Sequence, residues 1–467
     1  MRDNLFKFCL FMPLIFLLSG YLFAVEITSG DVLTLDEAIR IALEGNREMQ
    51  ETIENLGISR NEVREARAAG GFNAAFQGGL RRVEDAVSFS MLSFQQTGYF
   101  YNSASPTTLD ITTTPSAMPL LMPSLAQVQV SQKETRTLDF VITKPLYTFG
   151  KISGAVRISR LSHERSELEV RRVRLKVAQE VREAFYGTLL AQEAVHVAEE
   201  GSKQAQAHLD AARSRYDVGV TPRFDVIRSE VEVAKAQEEL TTAKKGYELA
   251  GKYLNNLLGL PLDRKMRLVE PQPAEMIDCE LDDCIMRALA ERVELKQIEI
   301  GLEQTEIGGR ISRMLPSFGL NVSYGVISEG SLFTLENAWT AMVMGEIPIY
   351  DSGSGAAGTA KAKATGKKLQ ATKARAEDGI RLQVEEVYLN LTEAKNRVET
   401  SEAILRQAEE AVKMAEIGYK EGVNPSIDLI DAQQALNGAR INKAKAHYDY
   451  EVAKARLAYV IGFEPVH

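Results

Sequence analysis

The feature that most constrains this chain is that it is written twice. Pro145-Leu-Tyr147-Thr-Phe-Gly150 reappears as Pro348-Ile-Tyr350-Asp-Ser-Gly353, 203 residues further on (348 − 145). Arg215-Tyr216-Asp-Val-Gly219-Val220-Thr-Pro222-Arg-Phe-Asp225 reappears at the same offset as Gly418-Tyr419-Lys-Glu-Gly422-Val423-Asn-Pro425-Ser-Ile-Asp428, and Leu258-Gly259 as Ile461-Gly462. Coiled-coil-like segments resemble one another easily. They do not hold proline, glycine, tyrosine and aspartate at one spacing, without a gap from 145 to 259, unless the unit itself repeats. Upstream, Asp36-Glu-Ala-Ile-Arg-Ile-Ala-Leu43 matches Asp282-Asp-Cys-Ile-Met-Arg-Ala-Leu289 at an offset of 246 (282 − 36). The first half therefore carries 43 extra residues (246 − 203), placed around 85–135. That stretch, with Ser105-Pro-Thr-Thr and Thr112-Thr-Thr-Pro-Ser, reads as a long exposed loop.

Each half follows one grammar. A helix over about 34–69, or 283–313, precedes two segments of period 2. In the second half Phe318, Leu320, Val322, Tyr324 and Val326 alternate with Ser317, Gly319, Asn321, Ser323 and Gly325, and a less regular partner runs over 339–349. In the first half the strands are 72–83, with Phe72, Ala74, Phe76 and Leu80 on one face, and 136–147, with Leu138, Phe140 and Ile142. Alternation over roughly ten residues suits a membrane barrel and also a soluble hairpin.

Two long helices complete each half, over 150–217 and 222–259, then 353–420 and 425–462. Val384, Leu391, Val398, Leu405 and Val412 form one heptad seam position, and Val387, Ala394, Ser401, Ala408 and Ala415 the other. Ala184, Ala191, Ala198, Ala205 and Ala212 are the first-half equivalents of the second set. This is coiled-coil spacing with small residues that permit close approach. A helix of that length reaches about 100 Å. A tube of side-by-side hairpins buries both flanks of each hairpin, and a solid coiled-coil rod shares the same periodicity. At the tips, Gly219 and Gly422 supply left-handed backbone where a helix stops, Pro222 and Pro425 suit the start of the returning helix, and Asp225 and Asp428 lie in its first turn.

The chain thus divides into a leader over 1–24, an N-terminal helix over 25–71, a first β-hairpin over 72–148 with its loop, and a first helical hairpin over 149–259. A linker over 260–282, a second helix over 283–315, a second β-hairpin over 316–350, a second helical hairpin over 351–462 and a tail over 463–467 follow. Arg2 and Lys7 ahead of an apolar run at 8–18, with Ser19, Gly20 and Ala24 after it, read as a secretory signal peptide. No later stretch is apolar enough for a spanning helix, so a membrane span here is built of strands. Four strands cannot close a barrel, and open edges in lipid leave backbone groups unpaired. If these strands span, copies must pool them, and three copies would supply twelve.

A formal charge of −9 disfavours nucleic acid as a partner. The five histidines form no pair at metal spacing, and no nucleophile–base set points to an enzyme or a cofactor. Cys279 and Cys284 would fit a disulfide poorly on one continuous helix, but a turn between them lets the bridge close. Gly353-Ser-Gly355-Ala-Ala-Gly358, with Glu377 downstream, spells a dinucleotide-binding fingerprint. The helix after it is far too long for a βαβ unit, so the glycines are assigned to the strand-to-helix turn.

The motifs Pro348-Ile-Tyr-Asp-Ser-Gly353, Tyr419-Lys-Glu-Gly-Val-Asn-Pro-Ser-Ile-Asp428-Leu-Ile-Asp431-Ala-Gln and Leu457-Ala-Tyr-Val-Ile-Gly462 resemble the TolC family of outer-membrane efflux proteins, over nearly all of the mature chain. The resemblance implies a mixed α and β membrane protein: a homotrimer with a twelve-stranded outer-membrane β-barrel, four strands per chain, above a long periplasmic α-helical barrel. It implies a passive exit duct for efflux or type I secretion in a Gram-negative cell, working with a periplasmic adaptor and an inner-membrane pump. It also implies that Asp428 and Asp431, spaced i, i+3, ring the narrowest point of the periplasmic entrance. By the same resemblance Tyr419 and Asp225 latch the two tips together. The arginine of the family's latch falls on Asn424, with Arg223 nearby but unmatched. The competing reading is a periplasmic coiled-coil scaffold or adaptor with no pore.

Overall fold

The computed structural model describes residues 32–82, 91–97, 120–126, 134–271, 279–313, 315–329 and 335–462. The leader expected over 1–24 and the tail over 463–467 lie outside the described residues. Strand β1 (Val32–Leu33) pairs in parallel with β6 (Arg267–Leu268), tying the start of the first half to the linker between halves.

The helices expected over 34–69 and 283–313 each come as two. They are α1 (Leu35–Gly45) and α2 (Arg47–Ala68), then α5 (Leu281–Glu291) and α6 (Val293–Ile311). The breaks fall at Asn46 and Arg292, both in extended conformation and 246 residues apart (292 − 46). At Asn46 the side-chain oxygen accepts from Glu48 N and Met49 N, starting α2, while Nδ2 donates to Leu257 O at 2.9 Å. A capping side chain competes with helical continuation, and here tertiary bonding decides in its favour.

Four antiparallel strands, β2 (Asn73–Arg82), β5 (Glu134–Tyr147), β7 (Ser317–Glu329) and β8 (Leu335–Glu346), form one sheet in the order β2-β5-β7-β8. Phe76 stands opposite Phe140, Phe140 opposite Tyr324, and Tyr324 opposite Trp339. One face thus carries an aromatic row across all four strands, and Phe76 (76%) and Trp339 (74%) are exposed there. The opposite face brings Asn73, Thr143, Asn321 and Met342 into register. Within the stretch read as a loop, two further strands, β3 (Met91–Thr97) and β4 (Leu120–Ala126), pair antiparallel as a separate hairpin.

Strand gives way to helix at matched corners. Phe149 and Gly150, then Ser352 and Gly353, adopt positive φ, after which α3 (Lys151–Asp217) and α7 (Ser354–Lys420) run for 67 residues each. The amides of Gly353 and Gly355 donate to the Asp351 carboxylate at 2.9 and 2.7 Å. Those glycine amides already have an anion of the chain's own, which removes the nucleotide reading of the motif. The motif's last glycine has a packing reason: a Cβ on Gly358 would come within 2.9 Å of Ser312 at the end of α6.

α4 (Arg223–Leu257) returns along α3, and α8 (Ser426–Val460) along α7, each 35 residues long. Contacts of α3 with α4, α3 with α8, and α8 with α7 order the long helices α4-α3-α8-α7. The expected seam holds: Ala184, Ala205 and Ala212 are buried on α3, and Val384, Ala394, Ser401 and Ala415 on α7. The core lies where α1 and α2 cross α3, and where α5 and α6 cross α7. Val173, Val177, Val181 and Phe185 of α3 bury against Ala38, Ile41, Ala42 and Met49 and the end of α4 at Leu254 and Leu258. Cys284, Ala288 and Leu295 do the same against Ile380, Val384, Leu457 and Val460. Cys279 and Cys284 are joined by a disulfide across a Cα separation of 6.0 Å. The extended Glu280, which starts α5 between them, provides the turn that such a bridge needs.

Candidate entrance at the helix tips

The far ends of the two hairpins are built alike. α3 stops in a Schellman turn: Val220 N donates to Arg215 O and Gly219 N to Tyr216 O, both at 2.9 Å. α7 repeats it, with Val423 N to Gly418 O at 2.9 Å and Gly422 N to Tyr419 O at 3.3 Å. Both turn glycines have φ 76°, a region that a Cβ disfavours. Pro222 and Pro425 sit one position earlier than a first helical residue, as extended caps, and their carbonyls receive Asp225 N and Asp428 N at 3.1 and 3.2 Å. Proline fits there because its fixed φ matches the cap and it has no amide to leave unpaired.

On the second tip, Asp428 and Asp431 are both exposed while Leu429 and Ile430 between them are buried. The two carboxylates therefore share the outer face of α8's first turns. Among the described residues neither forms an ion pair. Their repeat counterparts are Asp225 and Arg228, so the second carboxylate belongs to one tip alone.

The structure does not form the expected Tyr419–Asp225 latch within the chain. The Tyr419 hydroxyl is buried with no hydrogen-bond partner. The ring is instead enclosed by groups that sequence reasoning missed. The Arg215 guanidinium lies 4.3 Å over it, and Arg215 donates to Tyr419 O at 3.1 Å and to Lys420 O at 3.4 Å. The His208 ring sits 5.2 Å away, itself buried, with Nε2 unpartnered. Burial holds the His208 pKa below its ordinary value, Arg215 adds to that, and Asp225 and Glu232 oppose it. Asn424, where the family's latch arginine falls, turns back on its own hairpin: a Cβ on Gly418 would lie 2.7 Å from its amide. Arg223 is exposed. One signal was available beforehand, since Arg215 aligns with Gly418 in the repeat.

A second constellation imitates a catalytic set. His163 Nδ1 lies 2.9 Å from Ser59 Oγ, and its Nε2 lies 3.6 Å from Glu167. The Ser59 hydroxyl, however, also donates to Leu56 O at 2.9 Å, three residues back on its own helix, the ordinary local bond of a helical serine. Among the described residues no group of histidine, cysteine and carboxylate side chains is arranged to hold a metal ion.

Comparison with known proteins agrees with this architecture. The chain is 24% identical over 353 residues to the alkaline protease secretion protein AprF of Pseudomonas aeruginosa, covering 71% of each. It is 27% identical over 329 residues to the cobalt-zinc-cadmium resistance protein CzcC of Cupriavidus metallidurans, covering 67% of this chain and 74% of that protein. The outer membrane protein VceC from Vibrio cholerae superposes with a TM-score of 0.69 at 16% identity, over 92% of this chain and 97% of its own. The sequence pattern described as "Outer membrane efflux protein" matches residues 123–260 and 284–462. The chain belongs to the outer membrane efflux protein family and is an exit duct of the Gram-negative outer membrane with a TolC-like fold.

Proposed function

We propose that three copies of this internally duplicated chain close into a twelve-stranded barrel in the outer membrane above a helical barrel in the periplasm. One observation carries the reading: both layers of the chain end in open edges on both sides. In the sheet the edges are β2 and β8, of 10 and 12 residues. Roughly half of their backbone groups point outward unpaired. At several kcal/mol each in hydrocarbon, that amounts to tens of kcal/mol, more than the about 5–15 kcal/mol by which domains are stable. Neighbouring copies remove the cost by pairing β8 of one with β2 of the next. In the helical layer the flanks are α4 and α7, and each exposes apolar side chains. On α4 these are Phe224, Ile227, Val231, Leu249 and Tyr253; on α7 they are Leu382, Leu389, Ile404, Met414 and Ile417. Helix flanks of this kind belong against other helices.

The aromatic row of the sheet then faces lipid, and its polar face lines the lumen. Asp428 and Asp431 of three copies gather six carboxylates at the periplasmic end, which repel anions and hold cations. Transport needs no cofactor. Energy and cargo selection come from an inner-membrane pump through a periplasmic adaptor docked on the helical barrel. Cross-linking of the detergent-purified protein is expected to give a trimer, and the same protein in planar bilayers a cation-selective pore. A monomer that stays folded without detergent and conducts no current is the result that sinks the reading.

A further inference from the structure

We propose that Arg215, rather than the Tyr419–Asp225 pair, is the latch that holds the two hairpin tips together, and that His208 beneath the Tyr419 ring makes this latch acid-labile. The proposal rests on the duct reading above.

Arg215 lies at the end of α3, and everything it holds lies at the end of α7. A single guanidinium covers the Tyr419 ring at 4.3 Å and donates to the carbonyls of Tyr419 and Lys420 at 3.1 and 3.4 Å. These carbonyls belong to the last turn of α7, where helical partners run out and the macrodipole is negative. The bond from Gly422 N to Tyr419 O is long, at 3.3 Å, and a cation is the fitting cap. A planar fork can stack and reach two acceptors at once, whereas an ammonium cannot. Asn424 packs on Gly418 and offers no charge across the gap. The arginine that bridges the two tips here therefore belongs to the first tip. Opening the tips separates α3 from α7 and breaks all three contacts together.

His208 is 7% exposed and Tyr419 8%, and neither His208 Nε2 nor Tyr419 Oη has a hydrogen-bond partner. The charges acting on the imidazole are Arg215 on its own helix and Asp225 and Glu232 on α4; α7 presents Tyr419, and α8 adds the apolar Leu429 to the Tyr419 cluster. Protonation would place a second cation beside Arg215 with no acceptor for its new N–H. The closed tip holds the imidazole below its ordinary value of 6.5, with burial the main cause. An opened, solvated tip would not, so it binds the proton more readily. Closure is then complete above the ordinary histidine pKa and is lost as pH falls through the depressed value.

The test is single-channel recording of the full-length protein in planar bilayers, from about pH 7.5 to about pH 5. Wild type should conduct weakly at neutral pH and several-fold more at acid pH. Arg215→Ala should conduct several-fold more than wild type at neutral pH, and Arg215→Lys should fall between. His208→Phe should stay weakly conducting across the range. If Arg215→Ala fails to assemble, Arg215→Gln carries the same comparison. A trimeric Arg215 variant with wild-type conductance overturns the latch. A wild type indifferent to pH, or a His208→Phe protein that keeps the acid response, overturns the role of His208. A wild type that assembles but never conducts strikes the duct reading first, and this proposal with it.

Discussion

The tip of the first hairpin and the tip of the second have the same backbone and opposite surroundings. Gly219 and Gly422 share φ 76°, Pro222 and Pro425 cap alike, and the 6→1 bonds of the two turns match at 2.9 Å. Yet Tyr216 is 44% exposed and its counterpart Tyr419 only 8%. Arg215 answers to Gly418, and Arg228 to Asp431. Repetition has kept what the turn needs, because few residues other than glycine accept that backbone. It has released what the faces do, because one tip supplies the grip and the other is gripped.

The difference can be broken most severely at the two tyrosines. Tyr419→Ala should destabilise the tip by about 3–5 kcal/mol, as truncation of a buried aromatic does, while Tyr216→Ala should cost under about 0.5 kcal/mol. Hydrogen exchange of α7's last turns checks this, and equal losses would erase the distinction. Next in size is the carboxylate pair. Asp428→Asn with Asp431→Asn should lower cation over anion permeability several-fold, whereas Asp225→Asn should change it little. Reversal potentials in a salt gradient decide between them.

The turns themselves should not distinguish the tips. Gly219→Ala and Gly422→Ala should each cost about 1–2 kcal/mol, equally, because each puts a Cβ at φ 76°. The smallest effect is expected where a tyrosine latch would predict a large one. Tyr419→Phe removes a buried hydroxyl that has no partner, so stability should change by less than about 1 kcal/mol and the entrance should stay closed. A Tyr419→Phe channel that opens would restore the tyrosine–aspartate bond as the latch.

Much of the architecture was legible because it is local. The ends of α3 and α7 fall within a residue of the expected bounds, since glycine at positive φ and proline at a cap act on their own segment. The strand faces were legible from alternation, which sends Phe76, Phe140 and Tyr324 to one side. The breaks at Asn46 and Arg292 were not, because helical periodicity runs through them. What stops α1 is partly a bond from Asn46 to Leu257, 211 residues away. The β3–β4 hairpin was hidden by a composition rich in turn-forming residues.

The entrance divides in the same way. The turns and the i, i+3 spacing of Asp428 and Asp431 follow from the sequence alone, as matters of spacing within one helix–turn–helix, whereas their place at an entrance was implied by the family resemblance. The linkage between tips was decided only in three dimensions. Arg215 meets Tyr419 and Lys420 across 204 and 205 residues because the ends of α3 and α7 are brought side by side. No periodicity records which helix end will become a neighbour. A cation finds unsatisfied carbonyls, and a histidine loses its water, only after packing has chosen the partners.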